Sequence, residues 1–326
     1  MKKILNKIVE KGTLTFDEAK RIIFALAEDK LNHSQIVAIL VGIQMKGLQL
    51  DEIKGFRSAL LELAIPIQID GSNAIDLCGT GGDGKNTFNI STTTAFVVSA
   101  MGYKVIKHGN YVVSSTCGSS NVLEELGYQF SPDSTILNRQ LQDKNICFLH
   151  DPLFHPTLLK VGGIRKELGV RTFFNALGPL VNPVQPEYQL TGTYNLELAK
   201  IYQHILLGSR KDYKVVFGMN GYDELTLTDQ TRVLGLEGDE CIDAATFDKT
   251  KVNPTSIHSG ETIRQAANIL KSIAQGKGSN SQNSVISANV ALALQCFHPN
   301  QSLKELYNEA HVFIKSGKTA SHHNIQ

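Results

Sequence analysis

A glycine-rich stretch near residue 80 is the first part of this sequence whose residue types could do chemistry. Residues 79–84 read Gly-Thr-Gly-Gly-Asp-Gly and satisfy G-x-G-x-x-G, the pattern of a dinucleotide-binding turn. Glycines let the backbone approach a ligand closely and point its N–H groups at phosphate oxygens. An apolar run, residues 74–78, precedes the loop, as a strand does in such turns. The stretch predicts a phosphate ligand; the alternative is a strand-to-helix turn that binds nothing.

Two features of the following sequence argue against a nicotinamide cofactor. A dinucleotide site places an acidic residue about 20 positions further on, for the ribose 2′-hydroxyl. The corresponding residues 104–108 read Lys-Val-Ile-Lys-His, and a polar run separates the glycines from the next predicted helix. That helix begins with the hydroxyls of Ser91 and Thr92, which favour an anion, and Asp83 can accept a sugar hydroxyl or orient a cation. The loop therefore suits a ribose with a diphosphate better than a dinucleotide.

A second polar segment, residues 107–120, follows the next predicted strand. It carries a cation at Lys107, an imidazole at His108, an amide at Asn110 and several serines. Because the carboxyl ends of neighbouring parallel strands lie at one edge of a sheet, we expect this segment to face the glycine loop. It predicts a second anion subsite. The alternative is a polar loop whose serines cap the next helix.

Two further charged features, the pair Asp223-Glu224 and Arg165, do not indicate a function when each is considered alone. Asp223 and Glu224 follow a predicted strand, and an adjacent pair of this kind is typical of a polar turn. The pair also offers the hard oxygen ligands that Mg²⁺ prefers. Arg165 lies beside Lys166 and Glu167 and is, by itself, typical of a solvated helix charge. Its planar guanidinium would equally suit the carboxylate of a substrate.

The N-terminal part of the chain predicts three amphipathic helices that form a small helical domain, residues 1–70. A capping box at residues 15–18 begins the first helix. Ser34 is the predicted cap of the second helix, and Asp51 opens the third, which ends before Pro66.

From residue 71 onward, short apolar runs alternate with helical periodicity, which predicts a larger α/β domain over residues 71–326. Its fold class is α/β, with a mostly parallel central sheet flanked by helices. The predicted strands are residues 74–78, 103–106, 146–149, 189–194 and 215–217. The predicted helices are residues 92–101, 119–126, 134–143, 156–168, 261–275, 284–294 and 303–316. The last six residues predict a loose tail.

Composition and charge argue against several classes of protein. Lys and Arg total 32 against 31 Asp and Glu, so the net charge of +1 provides no global field for gathering nucleic acid. Apolar runs are too short to span a membrane, and lysines interrupt the N-terminal stretch where a signal peptide would be apolar. The five cysteines lack metal-binding spacing and are typical of a reducing compartment. We expect a cytoplasmic protein without nucleic-acid or membrane partners.

Four motifs, taken together, resemble the anthranilate phosphoribosyltransferases. The first two are Gly-Thr-Gly-Gly-Asp-Gly-x-x-Thr-Phe-Asn-Ile-Ser-Thr from residue 79 and Lys-His-Gly-Asn from residue 107. The others are Arg-Lys-Glu-Leu-Gly-Val-Arg-Thr-Phe-Phe-Asn-Ala-Leu-Gly-Pro-Leu from residue 165 and Gly-Tyr-Asp-Glu-Leu from residue 221. They occur in the family's order and spacing, and the resemblance covers most of the chain.

The resemblance implies transfer of the 5-phosphoribosyl group from phosphoribosyl diphosphate to the amine of anthranilate, with Mg²⁺ and in a homodimer joined through the helical domain. Ser91, Asp223 and Glu224 match the family's metal ligands, and Asn110 and Arg165 match positions that contact anthranilate. The chemistry needs positioning and electrostatics rather than a catalytic side chain, with His108 the one candidate base. The implied substrate-binding residues are Gly79, Gly82, Asp83, Thr87, Asn89, Ile90, Ser91, Thr92, Lys107, His108, Gly109, Asn110, Ser114, Ser115, Ser119 and Arg165.

Two positions depart from the family's motifs. Tyr111 replaces the usual arginine after His-Gly-Asn, and Asn121 replaces an acidic residue. Because tyrosine lacks the positive charge of that arginine, we expect a pocket that is altered locally near the phosphates. We still expect an active enzyme. The nearest alternative function is that of a pyrimidine nucleoside phosphorylase of the same fold, and a second is a non-catalytic relative that binds nucleic acid.

Overall fold

The structure is a computed structural model that describes residues 1–81, 83–110 and 118–325. Its N-terminal unit consists of helices. Three predicted helices are present, and a further one precedes them that the prediction missed. Lysines cover its exposed face, while Ile4 and Ile8, one turn apart, are buried. The helices are α1 (Lys2–Val9), α2 (Phe16–Ala27), α3 (His33–Lys46) and α4 (Leu50–Glu62).

The caps of these helices confirm one prediction and correct another. Thr15 Oγ1 accepts from the Glu18 N–H at 3.2 Å, and Glu18 Oε2 accepts from the Thr15 N–H at 2.9 Å, which is the predicted capping box. The predicted cap at Ser34 is wrong. Asn32 caps α3 instead, since its Oδ1 accepts from the Gln35 N–H at 2.9 Å and so satisfies one of the free donors of the first turn.

A seven-stranded sheet forms the centre of the α/β body, in the order β3-β2-β1-β4-β5-β6-β7. The five predicted strands are present and pair in parallel, and two antiparallel strands that the prediction missed extend the sheet beyond β5. The outermost strand reads Gly-Asp-Glu-Cys-Ile and is largely exposed, so it carries no apolar alternation. The strands are β1 (Ala74–Leu77), β2 (Lys104–Gly109), β3 (Ile146–His150), β4 (Tyr188–Gly192), β5 (Asp212–Gly218), β6 (Thr231–Gly235) and β7 (Gly238–Ile242).

Helices cover both faces of this sheet. They are α5 (Ile90–Ala100), α6 (Ser119–Glu125), α7 (Ser134–Lys144), α8 (Asp151–Phe154), α9 (Pro156–Leu168), α10 (Leu196–Leu206), α11 (Ile263–Ala274), α12 (Asn280–Phe297), α13 (Leu303–Lys315) and α14 (Lys318–His323). One apolar core packs α5, α11, α12 and α13 against the sheet. A second core joins the N-terminal helices to α9 and α10, where the Phe56 and Phe173 rings stack with centroids 4.5 Å apart. None of the described helices is long and apolar enough to cross a bilayer.

The predicted loose tail is wrong for most of its length. His323 ends α14, and its Nε2 lies 3.0 Å from both the Phe96 carbonyl oxygen and Ser99 Oγ of α5. Its ring also meets the Phe96 ring edge-on at 4.9 Å. His323, one of the polar residues of the predicted tail, therefore anchors the end of the chain to α5, the helix that follows the glycine loop.

The topology brings the predicted functional segments to one edge. Strands β2 and β3 extend the sheet from one side of β1, and β4 and β5 extend it from the other, so the strand order reverses between β1 and β4. Ligands of open α/β sheets bind outside the carboxyl ends of the strands at such a reversal. The glycine loop leaves β1 at this point, and the segment with Asp223 follows β5 at the same edge.

A buried carboxylate ties β1 to β2 just below that edge. Asp76 Oδ1 accepts from the His108 N–H at 3.1 Å, and Oδ2 accepts from Asn182 Nδ2 at 3.0 Å. Asn182 Nδ2 also lies 3.0 Å from the Ile106 carbonyl oxygen. Burial raises the pKa of Asp76, against the lowering effects of Lys107, Asn182 and His108. The network fixes the backbone of His108, near the end of β2, to β1.

We predict that Asn182→Ala destabilises the protein by about 1–3 kcal/mol, because it leaves a buried carboxylate oxygen without its donor. The loss should appear as a lower midpoint of urea denaturation followed by circular dichroism. Asn308→Ala, on the exposed side of α13, is the control and should change stability by less than about 0.5 kcal/mol. Equal midpoints for the two variants would contradict a structural role of the network.

Candidate active site

A pocket opens at the carboxyl edge of the sheet and collects most of the residues that the sequence singled out. Ile90 does not line it, since its side chain is buried at the start of α5. Gly82, Ser114, Ser115 and the departure at Tyr111 lie outside the described residues. The predicted residues that line the pocket are Gly79, Asp83, Thr87, Asn89, Ser91, Thr92, Lys107, His108, Gly109, Asn110, Ser119, Arg165, Asp223 and Glu224.

The glycine loop is hydrogen-bonded directly to Asp223 of the acidic pair. The Gly81 N–H donates to Asp223 Oδ2 at 2.7 Å, and Thr80 Oγ1 lies 3.4 Å from the same oxygen. Gly81 has φ +62°, a conformation that glycine adopts without steric cost. A Cβ at Gly79 would lie 3.3 Å from Asp223 Oδ2. Two segments more than a hundred residues apart in the chain thus form one wall.

Gly192, at the end of β4, permits this contact, and the sequence analysis missed it. A Cβ at this position would lie 1.5 Å from the Asp223 carbonyl oxygen, which no side chain can tolerate. The Gly192 carbonyl oxygen also accepts from the Thr80 N–H at 3.0 Å. The signal in the sequence was a glycine inside the predicted strand 189–194, since glycine within a strand commonly marks a close approach of another backbone.

Carboxylates dominate the donor half of the pocket, which we define as the end lined by Asp83, Ser91, Lys107, Asp223 and Glu224. Asp223 is buried, and Asp83 and Glu224 are half-buried. Glu224 Oε1 accepts from the Ser91 N–H at 2.8 Å, at the N-terminus of α5. Burial raises the pKa of Asp223, with a further contribution from the charge of Asp83. Burial, followed by the charge of Asp223, likewise raises the pKa of Glu224.

This donor set fits a divalent cation. Asp83 Oδ2 is buried and has no hydrogen-bond partner among the described residues. Three carboxylates and a hydroxyl are the hard oxygen ligands that Mg²⁺ prefers, and a cation would offset the cost of burying neighbouring negative charges. Lys107 is the buried cation nearby: its Nζ donates to the Leu77 carbonyl oxygen and lies 3.4 Å from Ser91 Oγ.

Arg165 lies at the opposite end, which we define as the acceptor half together with His108, Asn110, Asp151 and Phe174. Its side chain is largely buried rather than a solvated helix charge. The guanidinium lies 5.7 Å from the Phe174 ring centroid, and Nη2 is 3.3 Å from Asn175 Oδ1, while Nε has no partner among the described residues. Burial lowers the pKa of Arg165, opposed by the charge of Asp151. An unpaired donor beside an aromatic wall can pair with a carboxylate on a ring.

Asp151 is a site residue that the sequence analysis missed. It follows β3 directly and lines the pocket beside His108 and Asn110. Asp151 Oδ2 accepts from Asn110 Nδ2 at 2.6 Å, and Oδ1 lies 3.5 Å from His108 Nε2. The signal that could have found it is the polar pair His-Asp immediately after an apolar strand, at the edge where β1 and β2 also end.

The departure at Asn121 has a local structural explanation. Its Oδ1 accepts from the Gly118 N–H at 3.3 Å, in the first turn of α6. A carboxylate at this position could accept the same hydrogen bond, so an amide oxygen keeps the cap without the charge. Asn121 does not line the pocket.

The sequence matches two models of one family. The model described as the glycosyl transferase family a/b domain matches residues 71–320, and the helical bundle domain of the same family matches residues 2–64. The anthranilate phosphoribosyltransferase of Christiangramia forsetii is 45% identical over 318 residues, which cover 98% of this chain and 96% of that relative.

Solved structures of similar proteins share the fold. Anthranilate phosphoribosyltransferase from Thermus thermophilus is 28% identical, with TM-score 0.89 over 98% of this chain and 96% of that one. The Saccharomyces cerevisiae enzyme in complex with PRPP and Mg is 27% identical, with TM-score 0.84 over 94% and 90%. A further yeast structure, in complex with 4-fluoroanthranilate, is 26% identical, with TM-score 0.80 over 94% and 89%.

We predict that Gly192→Ala displaces the segment with Asp223, because the added methyl group and the Asp223 carbonyl oxygen cannot occupy the same space. The expected cost is about 1–3 kcal/mol or more, measured by urea denaturation. Gly162→Ala is the matched control: a Cβ there meets nothing within 4 Å, on the exposed side of α9. The control should be neutral or stabilising, since alanine favours a helix. A neutral Gly192→Ala would contradict the close contact.

Proposed function

Because the chain belongs to the anthranilate phosphoribosyltransferase family of glycosyl transferases, we propose that its pocket transfers the 5-phosphoribosyl group of phosphoribosyl diphosphate to the amine of anthranilate. The products are N-(5-phosphoribosyl)anthranilate and diphosphate, in the biosynthesis of tryptophan. The observation that carries the proposal is the pairing, in one pocket, of a group of carboxylates around the buried Asp223 at one end with the buried Arg165 at the other.

The donor half binds phosphoribosyl diphosphate. Ser91 and Thr92 lie in the first turn of α5, where backbone N–H groups and the helix dipole favour an anion. Lys107 supplies a fixed positive charge, and the remaining N–H groups of the glycine loop complete the cradle. Asp223, Glu224 and Ser91, with Asp83, would hold Mg²⁺. When bound, the cation offsets the negative charge of the diphosphate leaving group.

The acceptor half binds anthranilate. The Arg165 guanidinium pairs with its carboxylate, and the rings of Phe174 and Pro179 bound the space for its aromatic ring. Asn110 contributes a polar contact at the same end. The amine then points toward the donor half, where the anomeric carbon lies.

Transfer proceeds by positioning and charge stabilisation. As the bond to diphosphate breaks, positive charge develops on the anomeric carbon, and the amine forms the new carbon–nitrogen bond on that carbon. Lys107 and preorganised N–H groups stabilise the departing diphosphate, and the pocket holds the two reactants in line. The aromatic amine loses its proton readily after attack, so His108 is not required as a base.

The alternatives explain fewer of the pocket's features. A pyrimidine nucleoside phosphorylase uses inorganic phosphate and a nucleobase. Its nucleobase has no carboxylate for an arginine to bind, and its phosphate does not need three acidic residues that hold a cation beside a diphosphate. A nucleic-acid-binding relative would need a basic groove, whereas the donor half is acidic.

We predict that anthranilate fluorescence is lost on mixing with phosphoribosyl diphosphate and Mg²⁺, and that Asp223→Asn/Glu224→Gln slows this loss by about 10²-fold or more. Addition of EDTA should stop the reaction. Asp229→Asn is the control, because this carboxylate lies in the same segment but is paired with Lys251 at the surface. Phosphate-dependent cleavage of a pyrimidine nucleoside, without consumption of anthranilate, would transfer the assignment to the phosphorylases.

Assembly and location complete the proposal. The helical domain, residues 1–70, is proposed as the interface of a homodimer, and the cytoplasm as the place of action. Val9 of α1 and Met45 of α3 are each 76% exposed, on two helices that pack against each other. Exposed apolar side chains of this kind are suited to burial in an interface.

We predict that Val9→Glu/Met45→Glu converts a dimer into a monomer, because each new charge would be buried without a partner in the interface. Light scattering after size-exclusion chromatography measures the mass. Val312→Glu, at a position 71% exposed on α13, is the matched control and should leave the mass unchanged. A monomeric wild-type protein, or a dimer unaffected by the double substitution, would overturn the proposed interface.

A further inference from the structure

The ring of His108 faces a hydrogen-bond acceptor on each of its nitrogens. Nδ1 lies 3.1 Å from the Gly178 carbonyl oxygen, which can only accept, so this nitrogen carries a proton. Nε2 lies 3.5 Å from Asp151 Oδ1, and a carboxylate also only accepts. A neutral ring would set the Nε2 lone pair against that oxygen. The surroundings therefore favour the doubly protonated, cationic form of His108.

Asp151 contacts two pocket residues at once. Besides facing His108, it accepts from Asn110 Nδ2 at 2.6 Å, which sets the orientation of that amide. Its side chain is buried at the start of α8, so both contacts are made away from bulk solvent, where electrostatic interactions are strong. One carboxylate thus controls a charge and an amide in the acceptor half.

The titratable groups around His108 support the same charge state. They are Asp76 from β1, His150 from β3, Asp151 from α8 and His155 from α9. Burial lowers the pKa of His108, but the nearby carboxylate of Asp151, 3.5 Å away, and the charge of Asp76 raise it above its ordinary value. Burial lowers the pKa of His155 to about 4, and the pKa of His150 is also lowered by burial. Among these histidines, His108 is therefore the one whose surroundings favour the charged form.

We propose that Asp151 is a positioning and specificity-determining residue, which holds His108 as an imidazolium and orients Asn110 so that the acceptor half selects an aromatic amine with a single carboxylate. In this half, His108 and Arg165 are positive and Asp151 is negative. One net positive charge remains, which matches one carboxylate on the acceptor. The nature of the acceptor rests on the proposed function, whereas the charge state of His108 does not.

The first test measures the charge of His108 directly, by ¹⁵N NMR of histidine side chains in the full-length protein, with His108→Gln used for assignment. The wild type should show both ring nitrogens protonated at neutral pH. Asp151→Asn keeps the shape and an oxygen for Asn110 but removes the charge, so deprotonation should move to lower pH. Asp143→Asn, an exposed carboxylate on α7, is the control and should change nothing. A neutral His108 in the wild type, or an unchanged titration in Asp151→Asn, would overturn the proposal.

The second test uses steady-state kinetics. Since the pKa of His108 is raised, its charge is present at low pH and is lost as the pH rises through that pKa, so kcat/KM for anthranilate should fall on the alkaline side. In Asp151→Asn this fall should begin at lower pH. At a pH above the fall in both proteins, kcat/KM of the variant should be about tenfold lower for each pH unit by which the fall is displaced. The KM for anthranilate should carry the change, while the KM for phosphoribosyl diphosphate stays constant. Equal changes in both KM values would indicate a general structural role instead.

Two further outcomes are decisive. The potential ligand atoms of His108, Asp151 and His155 lie within 4.8 Å of one another. If the wild type bound one equivalent of Zn²⁺ and Asp151→Asn bound none, these residues would form a metal site, and the proposed ion pair would be wrong. A wild-type protein without anthranilate transfer, but with a cationic His108 that depends on Asp151, would refute the proposed function and retain the charge assignment.

Discussion

The close approach of the Asp223 backbone and side chain to three glycines is the constraint on which the pocket depends. The Gly81 N–H binds the carboxylate, and Gly192 lacks the Cβ atom that would keep the segment away, while a Cβ at Gly79 would crowd the same carboxylate. The end of β1, the end of β4 and the segment after β5 are thereby fixed to one another. Without this contact the glycine loop would have no fixed partner, and the acidic pair would be an ordinary surface turn.

This contact also places negative charge at one end of the pocket, away from the arginine at the other. It draws Asp223 and Glu224 into the interior at the N-terminus of α5, where burial raises their pKa values and a cation becomes the natural partner. The opposite end carries Arg165 and the pair of His108 and Asp151. A pocket that is acidic at one end and net positive at the other suits a metal-bound diphosphate donor and an anionic acceptor.

Most of the fold and much of the site could be predicted from sequence. Short apolar runs located the five parallel strands, and helical periodicity located most helices, because these patterns report directly on burial. The misses have physical causes. The lysine-rich α1 and the charged β7 gain their order from packing and pairing with neighbours, and the polar tail docks through His323. The roles of the site residues, the domain boundary and the dimer stay predictions.

By itself the sequence determined the residue types of the pocket and their order along the chain, since motif spacing and strand-end positions are local properties. Only the tertiary structure decided which of these groups meet. Asp151 and Gly192 are inconspicuous in sequence, and Arg165 is typical of a solvated charge. Their importance follows from burial and from distances of a few ångströms between segments far apart in the chain. Burial sets the free energy of a charge, and the full set of neighbours, not the local sequence, sets burial.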